Sequence, residues 1–398
     1  MIASIACALA VQAGNPVVEV MDPEAGFVSV QAIVRLPEMG GHERAEVQLL
    51  AETVADEVEG YGRAEMRDLA ARAGQRLRIT LMPDHLRIQI GVLPSDLKPA
   101  LGYIHQILEN SALPTESLNK AMADLPYRSR SLWSTALQPY KASFTRVRRE
   151  DVVDLYHRIC RPENVWLAVG GPVKPGEAED YWSGRIQSWH PGKIPKASLD
   201  QAQPDLVLDV SGRESIIELR GKEISSRDPA ISARILALIA LGSGKGSAMF
   251  EVLRERHGWS YRQEALIWPT ATGFVPRLIM ASGDATPPEA LAKSMKEELI
   301  GAINSWTEAN VDRARGMAEA ILMRGVDLSP LYFSPAWPVS DSLADRTFMA
   351  GYWRMKTGND WDPHKLLGEM VLLNLTDVKE AALDIVNPSI PRVISARG

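Results

Sequence analysis

His42 and Glu46 stand four residues apart in a stretch patterned as a helix, as do Glu52 and Asp56, so each pair shares one helix face. Either pair could grip a cation, but a zinc site takes three or more ligands from the protein and each pair gives two. The charges along 43–59 therefore read as a solvated helix face. None of the seven histidines falls in HExxH or HxxEH spacing. No GxSxG elbow accompanies a strand-to-helix turn, and Gly244-Lys245-Gly246-Ser247 lacks the upstream glycine of a phosphate-binding loop. The two cysteines, Cys7 and Cys160, sit in no CxxC or Cys/His cluster, which removes both a disulfide framework and a thiolate metal site and leaves Cys160 as a small core residue.

The elements that must position any site form an α+β pattern. In the first half, apolar alternation gives a strand over Val28 to Arg35. Helices follow over Glu43 to Val58 and over Arg63 to Arg72, the second closed by Gly74. Strands Gln75 to Leu81 and Leu86 to Gly91 flank the turn quartet Met82-Pro83-Asp84-His85, and Ser95 to Glu109 returns to helical spacing. The second half repeats this order: strand Ser215 to Arg220, helix Ala230 to Ala240, helix Ser247 to Arg256 closed by Gly258, strands Tyr261 to Trp268 and Val275 to Ser282, then helix Pro288 to Asn304. Gly62, Ala64, Leu69 and Gly74 each precede Gly246, Ala248, Leu253 and Gly258 by 184 positions, the mark of an internal duplication. Residues 190–205, with three prolines and little periodicity, read as a linker between an N-terminal lobe, 14–190, and a C-terminal lobe, 206–398. Hairpin strands and separate helix blocks predict a mostly antiparallel sheet covered by helices in each lobe.

At 398 residues, two or three compact units are expected. Apolar residues at 45% and charged residues at 24% are ordinary for a globular chain. A net charge of −6 gives no nucleic-acid footprint, and Arg146, Arg148 and Arg149 read as a solvated loop. No stretch has the roughly 18 consecutive apolar residues of a membrane span. The apolar start ends in Val11-Gln12-Ala13 before Gly14, which resembles a secretory cleavage site without a basic n-region. A periplasmic or secreted protein is expected if residues 1–13 are a signal remnant, and a cytoplasmic one otherwise.

Taken together, Val28 to Arg35 with its helix, Gly62 to Gly74 with its hairpin, and the run from Leu241 to Tyr261 resemble the pitrilysin/insulinase family of inverted zincins. The most specific part is the glycine-rich turn, the helix after it, and Arg254 and Tyr261 seven apart. Asp151 to Gly171 is similar to the family's close of the first lobe. Active members carry His-x-x-Glu-His, two imidazoles one turn apart on zinc and a glutamate that polarises the attacking water. Here that stretch is Gln48-Leu49-Leu50-Ala51-Glu52. Both histidine positions are replaced, and Ala51, where the base should be, transfers no proton. The third ligand, a glutamate on a later helix, would fall near Tyr127, in a segment interrupted by Pro126. The resemblance thus implies a protein with no metal or other cofactor of its own.

In family enzymes the Arg and Tyr matching Arg254 and Tyr261 bind peptide carbonyls and the tetrahedral oxyanion at the zinc. A guanidinium and a phenol suit that task, since donors aimed at developing negative charge lower a barrier by a few kcal/mol. The first-lobe copy has Ala70 and Leu77 at these positions. The plainer alternative makes Arg254 a surface helix arginine beside Glu251 and Glu255, and Tyr261 a half-buried strand aromatic. Gly242, Gly244 and Gly246 could form a substrate-guiding loop, or simply a tight helix entry capped by Ser247. The resemblance implies a non-catalytic, substrate-binding or regulatory subunit of a heterodimeric zinc metallopeptidase. Its partners would be a zinc-bearing family member with an intact HxxEH helix and a peptide. The runner-up is a scaffold of the same fold, and an active peptidase with unorthodox ligands comes last.

Overall fold

In a computed structural model, the described residues are 16–37, 39–125, 147–186, 189, 206–208, 215–283, 287–324 and 342–396. Residues 1–13, Tyr127 and the linker at 190–205 carry expectations that lie outside them. The chain divides into two compact units. The first holds the described residues up to 125, 147–189 and 342–361, and the second holds 206–324 and 362–396.

The first unit is built on β1 (Val17–Met21), β2 (Val28–Arg35), β3 (Arg78–Leu81), β4 (His85–Val92) and β5 (Val165–Gly171), ordered β1-β5-β2-β4-β3. Only β1 and β5 run parallel; the other neighbours are antiparallel. β2 and β5 are buried nearly throughout, as strands covered on both faces must be. Helices Gly41–Thr53, Leu97–Glu109, Arg149–Ile159 and Glu177–Ile186 supply much of the core with them. The first of these stops at Thr53, whose hydroxyl turns back onto the Leu49 carbonyl at 2.8 Å, so the helix is shorter than the apolar spacing to Val58 suggests.

Another layer on this sheet comes from far along the sequence. Helix Leu343–Thr357, which sequence alone places with the second half, lies on β1, β2 and β5. Phe348, Met349, Tyr352 and Met355 cluster with Ile33 and Trp166. The approach is close because a Cβ on Gly351 would meet the Ala168 Cβ at 2.8 Å. Beneath the helix is a buried polar anchor. The Asp84 carboxylate accepts from the His85 ring at 2.8 Å, the Tyr352 hydroxyl at 3.0 Å and the Lys356 ammonium at 3.1 Å. Burial alone would raise the Asp84 carboxyl, but Lys356 and His85 beside it hold it well below the usual carboxylate range.

The second unit repeats the plan with β6 (Leu206–Leu208), β7 (Ser215–Arg220), β8 (Ile224–Ser225), β9 (Arg262–Pro269), β10 (Gly273–Ser282) and β11 (Ile390–Ala396). Its order is β6-β11-β7-β10 with β9 on the outer edge of β10, and β8 carries the pairing of β7 further along β10. Again the edge pair, here β6 and β11, is parallel. Even a buried polar contact recurs on the same diagonal: Arg87 donates to Gln31 at 2.8 Å in the first sheet, and Arg277 to Glu218 at 2.5 Å in the second. Equal strand order, equal parallel edge and equal diagonal are what an internal duplication leaves behind. Helices Ile231–Gly242, Pro288–Ser305, Glu308–Arg324, Pro363–Leu372 and Leu375–Val386 complete the unit.

Candidate functional site

Gln48, Ala51 and Glu52 lie half-buried on helix Gly41–Thr53, the two polar residues one turn apart. Gln48 is a neutral amide, a poor ligand for zinc, and Ala51 offers a methyl group where a general base would be needed. A cation stands just past the end of this helix. Arg63, at the start of helix Arg63–Arg72, forms an ion pair with Asp56 and interacts electrostatically with Glu52. Burial and the neighbouring Arg67 lower the Arg63 guanidinium, while Tyr103 and Glu52 act in the opposite sense. The Tyr103 hydroxyl is held in turn by the Ala55 carbonyl at 3.3 Å. These residues do not fit a zinc ion, and among the described residues no group of three or more His, Cys, Asp or Glu could hold one.

His42 and Glu46 make an ion pair at 3.4 Å, and Arg158 lies 4.0 Å from the same carboxylate. Burial pushes the Glu46 carboxyl up, while His42 and Arg158 pull it down. Glu46 and Arg158 border a cleft of 470 Å³ lined also by Asp151, Asp154, His157 and Arg161, so both charge signs face it. Cys160 is a buried free thiol, and burial raises it far from reactivity.

In the second unit, helix Ile231–Gly242 runs into the glycine turn and then a short helix, Phe250–Arg256. Each glycine has a steric reason there. A Cβ on Gly242 would come within 2.3 Å of the Ala265 Cβ, one on Gly244 within 2.6 Å of Met317, and one on Gly246 within 3.3 Å of Arg313. Gly244 and Gly246 also adopt positive φ, 76° and 90°. The Ser247 hydroxyl accepts from the Phe250 N–H at 3.3 Å, which is the capping role its position suggests. The turn is therefore built by packing, whatever else it does.

Phe250–Arg256 is wound wider than an α-helix: His257 N–H reaches five residues back to the Val252 carbonyl at 3.2 Å, and Trp259 N–H reaches Leu253 at 2.8 Å. Sequence spacing does not reveal this, because the first-lobe copy with the same glycine separation is an ordinary α-helix. Gly258, at φ 65°, ends the turn as Gly74 does at φ 66° in the first unit. The structure brings Arg254 and Tyr261 together across it. The guanidinium carbon lies 5.5 Å from the centre of the Tyr261 ring and 5.2 Å from that of Phe250, and its other neighbour is Glu255 at 3.9 Å. Tyr261 is 84% exposed, not the half-buried strand residue of the plainer reading. In the first unit the matching Ala70 is buried and Leu77 half-buried.

Residues 146–317 match the family model described as the peptidase M16 inactive domain. No curated protein matches the chain. Among solved structures, it is similar to a peptidase M16 inactive domain from Pseudomonas fluorescens at 15% identity and a TM-score of 0.72, covering 96% of this chain and 94% of that one. A protease from Helicobacter pylori is similar at 14% identity and a TM-score of 0.76, over 95% and 96% of the two chains. A conserved protein from Enterococcus faecalis V583 follows at 12% identity and 0.70, over 97% and 98%. At these identities the three structures bear on the fold alone.

Proposed function

We propose that this chain, a non-catalytic member of the pitrilysin-like M16 family, serves as the substrate-binding subunit of a heterodimeric zinc metallopeptidase and lends Arg254 and Tyr261 to its partner. The observation that carries the reading is the pairing of an 84% exposed tyrosine with a guanidinium over its ring, at positions where the duplicated lobe has two apolar residues. A phenol so exposed contributes little to packing, so its hydroxyl is free to donate to a ligand. The partner's zinc would activate the attacking water. This chain's residues would do the rest: Arg254 holds the peptide by its backbone carbonyls, and Tyr261 donates to the oxygen that becomes negative as the bond is attacked.

Turnover of an unstructured peptide by the reconstituted pair, with a zinc-bearing M16 chain as partner, tests this. Tyr261→Phe should lower kcat by about ten- to a thousandfold with KM little changed, as expected for deletion of one oxyanion donor. Arg254→Ala should also raise KM, because contacts to ground-state carbonyls are lost. Unchanged turnover in both variants, with assembly intact, would make the chain a scaffold.

A further inference from the structure

We propose that Ser260 is the positioning residue of the exposed tyrosine: its buried hydroxyl ties the chain entering β9 to the end of β10 and so sets where the Tyr261 phenol is presented. The inference rests on reading Arg254 and Tyr261 as groups lent to a partner enzyme, and it adds the residue through which Tyr261 keeps its place.

The contrast between two neighbours carries it. The Tyr261 side chain stands in solvent, so packing around the ring does little to fix it. Ser260, one residue earlier, is only 2% exposed. Its Oγ lies 2.6 Å from the Ala281 carbonyl and 2.7 Å from that of Arg262, one proton shared between the two acceptors, and it accepts from the Arg262 N–H at 3.1 Å. Arg262 and Ala281 form the terminal pair of the β9–β10 ladder, so the hydroxyl takes over where backbone pairing stops. On the other side of Tyr261, the Trp259 and Ser260 N–H groups both reach the Leu253 carbonyl, at 2.8 and 3.3 Å, one residue before Arg254. The backbone around Tyr261 is thus pinned at one end to the turn that carries Arg254 and at the other to the sheet. A donor stabilises developing charge only when it is held in place beforehand, and for an exposed side chain that order must come from its backbone. The duplicated lobe supplies the comparison. There the two positions are Arg76, exposed, and Leu77, although β3 begins at Arg78 just as β9 begins at Arg262, 184 residues on. Of the two copies, the one with the phenol is the one with the buried hydroxyl.

Two measurements test it. In the full-length chain alone, Ser260→Ala should speed hydrogen exchange of peptides covering 260–264 by about fivefold, the order expected for one lost hydrogen bond, while peptides covering 231–242 keep their protection. In the pair reconstituted with a zinc-bearing M16 chain, Ser260→Ala should lower kcat for an unstructured peptide by about tenfold with KM little changed, because a displaced donor fails chiefly in the transition state. On the Tyr261→Phe background the same change should cost less than about twofold, since no hydroxyl is left to position. A serine with a purely structural role would cost the same on both backgrounds. Ser260→Cys, whose thiol is a weak donor, carries the same expectations should the alanine variant fail to fold. Unchanged exchange over 260–264, unchanged kcat, or equal losses with and without the tyrosine hydroxyl overturn this inference while a slow Tyr261→Phe leaves the functional reading standing. A Tyr261→Phe variant that turns over normally overturns the functional reading, and this inference with it.

Discussion

Asp84→Asn removes the one negative charge in the anchor under helix Leu343–Thr357. In the native chain its carboxylate faces three donors, and the Lys356 ammonium among them is almost wholly buried, at 2% side-chain exposure. Asparagine keeps one acceptor oxygen, so the Tyr352 or His85 contact survives in part, but the buried lysine loses the carboxylate that faces its charge. Breaking a buried pair in this way costs about 3–5 kcal/mol. The chain has two units, so a single unfolding midpoint is not a safe measure. Hydrogen exchange of peptides covering 343–357 is, because opening of this helix reads directly as lost protection. Exchange there should accelerate by more than about a hundredfold, with peptides of the second unit unchanged. Lys356→Met added to Asp84→Asn should recover much of the loss, since the stranded charge is gone, so the two effects are coupled and not additive. Strict additivity, or unaltered protection after Asp84→Asn, would refute the claim that this ion pair holds the helix. The acid dependence has a fixed sign: the Asp84 carboxyl is depressed in the fold, so its contribution is full above the ordinary carboxylate range and is lost progressively as pH falls from there to its lowered value.

Gly242→Ala should destabilise the second unit by about 1–3 kcal/mol, because the added methyl meets the Ala265 backbone and side chain; faster hydrogen exchange of peptides covering 231–242 and 262–269 checks it. His105 is lowered chiefly by burial, packed edge-on to Trp182 and Trp189, with Glu109 at 3.4 Å acting the other way. A histidine kept neutral in the fold contributes stability that is full above about pH 6.5 and declines below it, until the pH reaches its lowered folded value. The loss of hydrogen-exchange protection over 97–109 on acidification should therefore be smaller in His105→Gln than in the parent. Elemental analysis of the purified chain after mild dialysis should find far less than one zinc per chain, and near-stoichiometric zinc would contradict the degenerate site.

Much of each unit was legible because its signals are local. Alternation marked β2 and β7, the turn quartet marked the β3–β4 hairpin, and the 184-residue offset joined Gly62 and Gly74 to Gly246 and Gly258 before any sheet was seen. The substitutions at Gln48, Ala51 and Glu52 needed only the residue types. What escaped depends on partners distant in sequence. Nothing around Leu343–Thr357 says that it will lie on β5, because the groups that hold it, Asp84 and Ala168 among them, are far away along the chain. The parallel pairings β1 to β5 and β6 to β11 escaped for the same reason. Arg63 escaped differently: beside Arg67 and Asp68 it looks like any charged helix start, and only the fold shows it against Asp56. The exposure of Tyr261 could not be read either, since an aromatic at a strand entry is as readily buried.

The route of the chain through its first unit bears on how this protein could be divided. A gene cut between residues 190 and 205 would yield an upstream fragment whose sheet lacks Phe348, Tyr352 and Met355, and a downstream fragment carrying an amphipathic helix with no surface to lie on. Neither fragment would be a self-sufficient product, and each would present apolar surface to the solvent until it met the other. A protease nick at the same place in the finished molecule is a milder event, because helix Leu343–Thr357 on the first sheet would keep the two pieces joined. The duplicated halves can thus be told apart in the gene, yet they can no longer be inherited, expressed or engineered as independent modules.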